Sequence, residues 1–415
     1  MIEFKFCKNF CRWQIIFAMS ALFSIYSLNC LAIPTSTLPA EIYSPAIRYG
    51  HINGLDQRFG ENGSLNSLTD RNAIEFNAKT LSKFNPKAEQ LVATLNRFGA
   101  FKLGDSLNLG LLEIQAHPQI DYTAPLLAKG ISKRWTVAVG LPVVHYQNKV
   151  KLSQSFSNIG YYKSQFSGLS KELDQAMNTN LGESTQQVLQ EKGYRKLEDR
   201  DEKFLGDAQL VNLYKIYEGV DINLIHQATL NLPTGPKYDT NDLLALNTFH
   251  KTTLENTFGV SKIISPSWKI TPYTSVKYSL PEKIDSRVPI DEEDLLPDQN
   301  TIQSVTRSDG LGFELGLQNL IEFSDAFQIT LDYKLGQKTS DHYSGDRHSR
   351  YDLLGKESNA KWQKSCIELA YSSVKSYFKN SVGVPFIVSL NFFDTLSGQN
   401  IERRFGQEAS LTLFF

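Results

Sequence analysis

Polar and charged side chains recur at every second position within apolar segments of this chain, so they are well placed to contact a solute. Asp221 and Asn223, for example, alternate with Ile222 and Leu224. Successive side chains of a β-strand point to opposite faces, which puts such a row on one face and its apolar partners on the other. The row mixes both signs of charge, whereas a strongly ion-selective pore shows a ring of one sign. The residues predicted to line a lumen are Asp221, Asn223, Glu255, Glu314, Glu322, Asp332 and Lys334.

Groups for covalent or acid–base catalysis are not brought together by the sequence. It contains no Gly-x-Ser-x-Gly elbow, and the alternation predicts no Ser–His or Asp–His pair on one face of adjacent strands. His145 and His226 both fall on the apolar face of their segments. His342 and His348 flank Asp346 without a fourth ligand, and we interpret them as part of a solvated loop. We predict no enzyme, no metal site and no cofactor.

The beginning of the chain has the features of an export signal. A basic start and an apolar run over residues 15–28 predict a secretory signal peptide at residues 1–32, since the run is shorter than the ~20 residues of a spanning helix. Asn29 before Cys30 argues against a lipid-modified N-terminus. Only Cys366 remains after cleavage, so no internal disulfide is expected. The formal net charge of −1 does not suggest a nucleic-acid partner.

The alternating segments and the loops between them predict a transmembrane barrel. A soluble sandwich also alternates, but here short and long connections alternate along the chain, which is typical of outer-membrane barrels. No later apolar run is long enough for a helix, and only helices and closed barrels satisfy the backbone in lipid. The predicted strands lie at 113–128, 134–143, 206–217, 221–232, 253–261, 268–280, 311–323, 327–336, 362–374, 386–392 and 406–415.

Eleven strands are predicted so far, and an outer-membrane barrel has an even number, so one further strand is expected. If the last strand runs inward, an outward strand must precede residue 113, and the apolar residues of 101–109 are its best candidate. The fold predicted is therefore all-β, an antiparallel barrel of about 12 strands over residues 101–415. Residues 33–100 are predicted to be an irregular segment with one helix beginning at Pro86, which either plugs the lumen or lies in the periplasm.

Aromatic and apolar residues predict where the barrel meets its surroundings. Trp135, Trp268 and Trp362 lie near strand ends and predict aromatic girdles at the membrane interfaces. The chain ends on an aromatic residue within a strand, which resembles the C-terminal assembly signal of Gram-negative outer-membrane barrels. The proposed signal residues are Leu411, Leu413 and Phe415. The expected partners are outer-membrane lipid, lipopolysaccharide and the barrel-assembly machinery.

The longest predicted loop, residues 148–205, contains a helix signal. Ser170 is the predicted N-cap and Gly193 the predicted end, with an interrupted apolar stripe between them. Such a helix either folds over the mouth of the barrel or packs only on its neighbouring loops.

Three stretches resemble a family of outer-membrane barrels called MetA-pathway-of-phenol-degradation transporters, which are distantly similar to the long-chain fatty-acid channel. They are Gly130–Val144, Leu205–Leu210 and Leu230–Gly235. They follow the order of the family but cover under a tenth of the chain. The resemblance implies a barrel and a loose substrate class, and it transfers no binding residue. The fatty-acid channel's N-terminal Asn-Pro-Ala is not matched here, and Asn85-Pro86-Lys87 is the nearest sequence.

Together these features predict a passive channel for small hydrophobic or aromatic compounds in the outer membrane of a Gram-negative bacterium. A general diffusion porin and a structural or surface-interaction barrel are the alternatives. Steady ion conductance would indicate a porin, and the sequence does not separate these three possibilities.

Overall fold

The alternating segments form long antiparallel strands in the computed structural model. The predicted signal peptide lies outside the described residues. The structure describes residues 35–67, 74–78, 86–97, 102–168, 180–246, 250–292, 294, 296–379 and 382–415.

Strands account for most of the described chain, and the helices between them are short. The helices are α1 (Pro86–Arg97), α2 (Ile159–Phe166), α3 (Leu181–Glu191) and α4 (Val374–Phe378), with 3₁₀ turns at Leu103–Ser106, Gln299–Thr301 and Tyr351–Gly355. The strands are β1 (Tyr43–Asn53), β2 (Gln57–Phe59), β3 (Leu65–Ser67), β4 (Ile74–Asn77), β5 (Asn108–Ser132), β6 (Trp135–Gly140), β7 (Val143–Ser155), β8 (Arg200–Leu205), β9 (Ala208–Glu218), β10 (Ile222–Leu232), β11 (Thr253–Ser265), β12 (Trp268–Ser279), β13 (Glu282–Arg287), β14 (Ile302–Ser308), β15 (Gly312–Glu322), β16 (Phe327–Lys338), β17 (His342–Gly345), β18 (Ala360–Ser372), β19 (Phe386–Gln399), β20 (Ile401–Glu402) and β21 (Phe405–Leu413).

Twelve of these strands close into an antiparallel barrel, as the sequence predicts. Their order around the wall is β1, β5, β6, β9, β10, β11, β12, β15, β16, β18, β19 and β21, and β21 pairs with β1 to complete the ring. A closed ring leaves no strand edge without a hydrogen-bonding partner. Two three-stranded sheets, β13–β14–β17 and β20–β2–β3, lie in the long connections.

The first wall strand is not the one expected from the sequence. Residues 103–106 form a 3₁₀ turn, and the strand that precedes β5 in the ring is β1. The prediction that the chain enters the barrel at 101–109 is therefore wrong, as is the irregular structure expected around residues 43–53. The alternation of apolar and polar residues is hard to recognise in β1. Arg48 and Gly50 occupy inward positions, and the outward row includes the polar His51.

The long connections emerge at one end of the barrel and the short ones at the other. We call these the long-loop end and the short-turn end. The short turns lie between β5 and β6, β9 and β10, β11 and β12, and β15 and β16, while α4 joins β18 to β19. Apolar side chains cover the outer wall, and Leu315, Leu390 and Phe258 are each between 47% and 51% exposed. Among the described residues, no helix is both apolar and long enough to cross a bilayer.

Part of the wall continues beyond the ring at the long-loop end. β5 has 25 residues, and only its second half pairs with β1 and β6. Its first half pairs with β7, which pairs in turn with β8. The wall is interrupted twice where this extension starts: between β6 and β7, next to β5, at Leu141–Pro142, and one strand further, between β8 and β9, at Gly206–Asp207. A proline within a sheet lacks the N–H that the ladder needs, which explains the first interruption.

The seam of the barrel joins the two ends of the described chain. Tyr43 and Phe415 exchange two backbone hydrogen bonds of 3.0 Å each. Leu411, Leu413 and Phe415 lie on the outer face of the last strand, where Phe415 is 61% exposed. Phe414 is 2% exposed because its side chain points into the lumen.

Candidate functional site in the barrel lumen

Most of the residues predicted to line the lumen lie on the inner face of their strands. Asp221 is the exception, since it lies in the exposed turn before β10. The side chains that share the inner face are Asn223, Glu255, Glu314, Glu322, Asp332 and Lys334.

Several of these carboxylates are already bound by the wall itself. The Tyr273 ring on β12 lies across Gly316 of β15, where a Cβ would overlap the ring. The Tyr273 hydroxyl thereby reaches the next strand and donates to Asp332 at 2.9 Å and 3.0 Å to its two oxygens. Lys334 adds an ion pair with Asp332 at 3.6 Å. The glycine lets one aromatic side chain tie three adjacent strands together.

The same arrangement occurs twice more around the barrel. The Trp362 ring on β18 lies across Gly336 of β16, and its Nε1–H donates to Glu314 on β15 at 2.8 Å. Trp362 therefore faces the lumen, and its prediction as a membrane-interface girdle residue is wrong. Trp135 and Trp268 do lie on the outer face, each 40% exposed.

The third arrangement lies at the seam. The Tyr122 ring on β5 crosses Gly50 of β1, and its hydroxyl donates to Glu408 on β21 at 2.5 Å. Asn391 also donates to Glu408 at 3.2 Å, and Arg48 lies 3.7 Å away. We call these three arrangements the aromatic braces: Tyr122–Gly50–Glu408, Tyr273–Gly316–Asp332 and Trp362–Gly336–Glu314.

The two remaining predicted carboxylates also have partners. Glu255 accepts a hydrogen bond of 2.8 Å from the Ser275 hydroxyl. Glu322 lies 3.7 Å from Lys375 of α4, at the short-turn end. The inward charges thus mostly neutralise one another, and they form no ring of a single sign.

An apolar cluster lies inside the barrel towards the long-loop end, on side chains of β1, β5, β7, β18 and β19. Tyr146 of β7 anchors a long connection to it, because its hydroxyl donates to the Leu244 carbonyl at 3.0 Å. Leu246, from that same connection, packs against the cluster from above. We call the following residues the apolar vestibule: Ile52, Leu55, Ile120, Tyr122, Ala124, Val144, Tyr146, Cys366 and Phe393, with Phe204 and Leu246 against them.

The short-turn end is occupied by the start of the described chain, residues 35–42, which we call the N-terminal strap. On one side, the Leu38 N–H donates to the Thr136 hydroxyl of β6 at 2.7 Å. On the other side, Lys269 of β12 donates to the Thr35 hydroxyl at 3.4 Å. Since three wall strands separate β6 from β12, the strap crosses the opening.

A second apolar cluster holds the strap in place. Leu38 is fully buried against inward residues of five wall strands and against Phe414. Val374 and Phe378 of α4 close the same cluster from the other side. Phe414 breaks the alternation of the last strand because it belongs to this cluster rather than to the polar inner row.

The stretches that carry the family resemblance meet at the interruption between β8 and β9. Asp207 accepts backbone hydrogen bonds from Gly235 at 2.8 Å and from His250 at 3.0 Å. Thr234 donates to the Gly206 carbonyl at 2.9 Å. These contacts fix the connection after β10 against the wall, so their residues have a structural role here.

Histidine–aspartate pairs are present, contrary to the sequence prediction. His51 lies 2.7 Å from Asp121 on the adjacent strand, and His145 lies 2.6 Å from Asp201. Both pairs are on the outer side of the wall, and no described serine or cysteine side chain hydrogen-bonds to either histidine. His226 also lies outside, stacked on Phe258 with ring centroids 4.5 Å apart.

The helix predicted over residues 170–192 is described only in its second part. α3 begins after Asn180, whose side chain accepts from Gly182 at 2.9 Å, and the chain then turns at Gly193 with φ of 76°. Residues 169–179, including the predicted cap Ser170, lie outside the described residues. Leu189 of α3 packs on the extension formed by β5 and β7, so this part of the helix covers that extension. Among the described residues, no group of three His, Cys, Asp or Glu side chains is suited to a metal ion.

No family model matches the chain, and no curated protein matches it. Among solved structures, the COG4313 outer membrane channel from Pseudomonas putida F1 is similar with a TM-score of 0.51 at 10% identity. The match covers 93% of this chain and 100% of that one. The chain has the fold of an outer-membrane β-barrel. The Pseudomonas putida toluene transporter TodX matches with a TM-score of 0.31 at 8% identity, over 97% of this chain and 96% of that one. The CymD monoaromatic hydrocarbon channel matches with a TM-score of 0.34 at 8% identity, over 91% of this chain and 89% of that one. Scores this low carry no argument.

Sequence reasoning found the inner face but missed the partners of its residues. The aromatic braces carry one signal that was available, which is a glycine at an inward position of a strong strand, as at Gly316 and Gly336. The strap carried no signal, because residues 35–42 show no periodicity that distinguishes a lumen segment from a linker.

Proposed function

We propose that the protein is a passive outer-membrane channel for small hydrophobic or aromatic compounds, acting without a cofactor or a chemical step. The observation that supports this most directly is the apolar vestibule. Apolar side chains on the inner face favour an apolar solute over an ion, which would lose its hydration there without compensation. The similar solved structure with a TM-score of 0.51 is named as an outer membrane channel, which agrees with a channel function.

The N-terminal strap is proposed to plug the periplasmic end of the lumen. It crosses the opening from β6 to β12 and is held by a fully buried leucine. A general porin is the alternative function, and it requires a path that stays open. Outer-membrane lipid, lipopolysaccharide and the barrel-assembly machinery are proposed partners of the outer wall and of the closing strand.

Entry of radiolabelled ethylbenzene into cells tests the substrate class. We expect faster entry into cells that express the protein than into matched cells that do not. Leu246→Asn puts an amide into the apolar vestibule and is expected to slow this entry roughly fivefold or more. The control is Leu243→Asn, in the same connection, where the side chain is 47% exposed. Equal entry with and without the protein would contradict the proposal.

Conductance in planar bilayers tests the plug. We expect the intact protein to conduct little, and replacement of residues 35–39 by a Gly-Ser segment of equal length to raise conductance. A larger deletion is not suitable, because β1 begins at Tyr43. Steady conductance of the intact protein would favour a general porin instead.

A further inference from the structure

One strand of the wall presents a line of amide side chains to the lumen. Asn223, Gln227 and Asn231 occur at intervals of four residues along β10, and all three lie on its inner face. With a rise of about 3.3 Å per residue, the line spans about 26 Å. That length is close to the apolar band of about 25 Å that a barrel presents to the membrane. We call these three residues the amide track.

Each residue of the track has an acceptor that the protein leaves unmatched. The buried side-chain oxygens of Asn223, Gln227 and Asn231 have no hydrogen-bond donor. The Gln227 nitrogen donates to Thr229 at 3.1 Å, and the Asn231 nitrogen donates to Thr253 at 2.5 Å. Buried polar groups in folded proteins are nearly always paired, so three unmatched acceptors in one line need an explanation.

The opposite side of the lumen shows the contrast. There the aromatic braces supply donors to the carboxylates of Glu408, Asp332 and Glu314, and the unmatched amide oxygens of Gln318 and Asn391 belong to buried side chains. The track differs in accessibility too. Its three side chains are partly exposed, whereas the inward residues Thr253 and Thr257 on the next strand are buried. The side chains of the track therefore reach the surface of the lumen in part, although their unmatched oxygens are themselves buried.

We propose that the amide track determines specificity, by selecting neutral solutes that carry a hydrogen-bond donor over solutes of equal size that do not. The track is uncharged, so it offers no counter-charge to an ion. A hydroxyl group that loses water on entering the lumen can recover a hydrogen bond at each step along the strand, once the partly exposed amide turns its oxygen towards the lumen. An ethyl group cannot. The proposal rests on the proposed function, because the apolar vestibule must first admit the solute.

The test compares two solutes of nearly the same shape, benzyl alcohol and ethylbenzene. The measured quantity is the ratio of their protein-dependent entry rates into cells. Gln227→Met and Asn231→Leu keep the size of the side chain and remove the acceptor. We expect each to lower the ratio roughly 3- to 10-fold in favour of ethylbenzene. Asn223→Leu is a third independent variant, and heat-modifiable migration on gels shows which variants fold.

The matched control is Asn319→Leu, which removes an amide from the outer face of β15. We expect it to leave the ratio unchanged. If the track variants slow both solutes equally, or leave the ratio at its wild-type value, the proposal is overturned while the channel function stands. If neither solute enters faster with the protein than without it, the proposed function fails and the track proposal falls with it.

Discussion

The braced side of the lumen and the side formed by β10 and β11 use inward polar residues in opposite ways. On the braced side, the carboxylates of Glu408, Asp332 and Glu314 are each bound by an aromatic donor that reaches over a glycine from two strands away. On β10 the polar groups are neutral amides, and their oxygens remain unmatched. The charge of an inward residue therefore says little about what a solute meets, because the charged groups here are used to build the wall.

The largest effect is expected at the buried arginine of the seam. Arg48 is 2% exposed and lies 3.7 Å from Glu408, and the charges of both residues also act on the buried carboxylate of Glu368. Arg48→Met would leave two buried carboxylates without a cation, and breaking a buried pair costs about 3–5 kcal/mol. We expect a clear loss of heat-modifiable barrel from outer-membrane fractions.

The double variant Arg48→Met with Glu408→Gln is the control. It removes both charges of the pair, so it should recover part of the folded protein. If the single variant gave wild-type amounts, the cation would have no role in closing the seam.

A somewhat smaller effect is expected from a charge on the outer face of the closing strand. Leu411→Lys puts an ammonium group on the lipid face, where the cost is roughly 2–4 kcal/mol at the midplane and less near an interface. Leu413 lies closer to the short-turn end, since it pairs with Phe386 at the beginning of β19. Leu413→Lys should therefore be milder than Leu411→Lys. Quantitative blots of outer-membrane fractions measure both.

The assembly signal is tested in the same series. Deletion of Phe415 should lower the amount of folded barrel without lowering the precursor, because it removes the backbone partner of Tyr43 as well as an aromatic side chain. Thr412→Ser faces the lumen and should have little effect. Equal behaviour of all these variants would contradict the assignment of Leu411, Leu413 and Phe415 as the signal.

An intermediate effect is expected from filling the gap under a brace. Gly316→Ala puts a methyl group where the Tyr273 ring lies, so the ring must move and its bond to Asp332 is lost. Overpacking of this kind costs about 1–3 kcal/mol. Gly312→Ala on the same strand is the matched control, because the nearest atom to its new Cβ would be 3.4 Å away. The temperature at which the folded band disappears on gels measures the difference.

The smallest effect concerns an ion pair in the long loops, outside both sides of the wall. Lys251 and Asp309 lie 2.9 Å apart. Burial alone would raise the pKa of Asp309, but the charges of Lys251 and Arg307 outweigh it and hold that pKa below its usual range. The pair therefore stabilises the loops above about pH 4, the ordinary range of an aspartate, and is lost as the pH falls through the lowered pKa. Proteolysis of the loops should increase on acidification in the wild type, while Asp309→Asn should already be cleaved faster at neutral pH.

The outer face of the wall could be predicted from the sequence better than its inner face. A strand in lipid needs an apolar side chain at every second position. Strands such as β15 and β16 can therefore be recognised from their own sequence. The residues of the inner face depend on partners that lie two strands away and far apart in the sequence. No local pattern relates Tyr273 to Asp332 or Trp362 to Glu314. β1 was missed for a related reason. Its inward positions carry an arginine and a glycine, whose roles depend on contacts with the neighbouring strands β5 and β21.

The braces also have a mechanical consequence. A cross-tie over three strands resists shear between them, so the wall is stiffest where β5, β1 and β21 are tied and again from β12 to β18. β10 and β11 carry no aromatic side chain on their inner face, so no brace crosses them. Thermal bending of such a tube concentrates in its untied arc. The surface on which the solute would travel is thus the most compliant part of the cylinder, able to widen slightly while the rest of the wall keeps its shape.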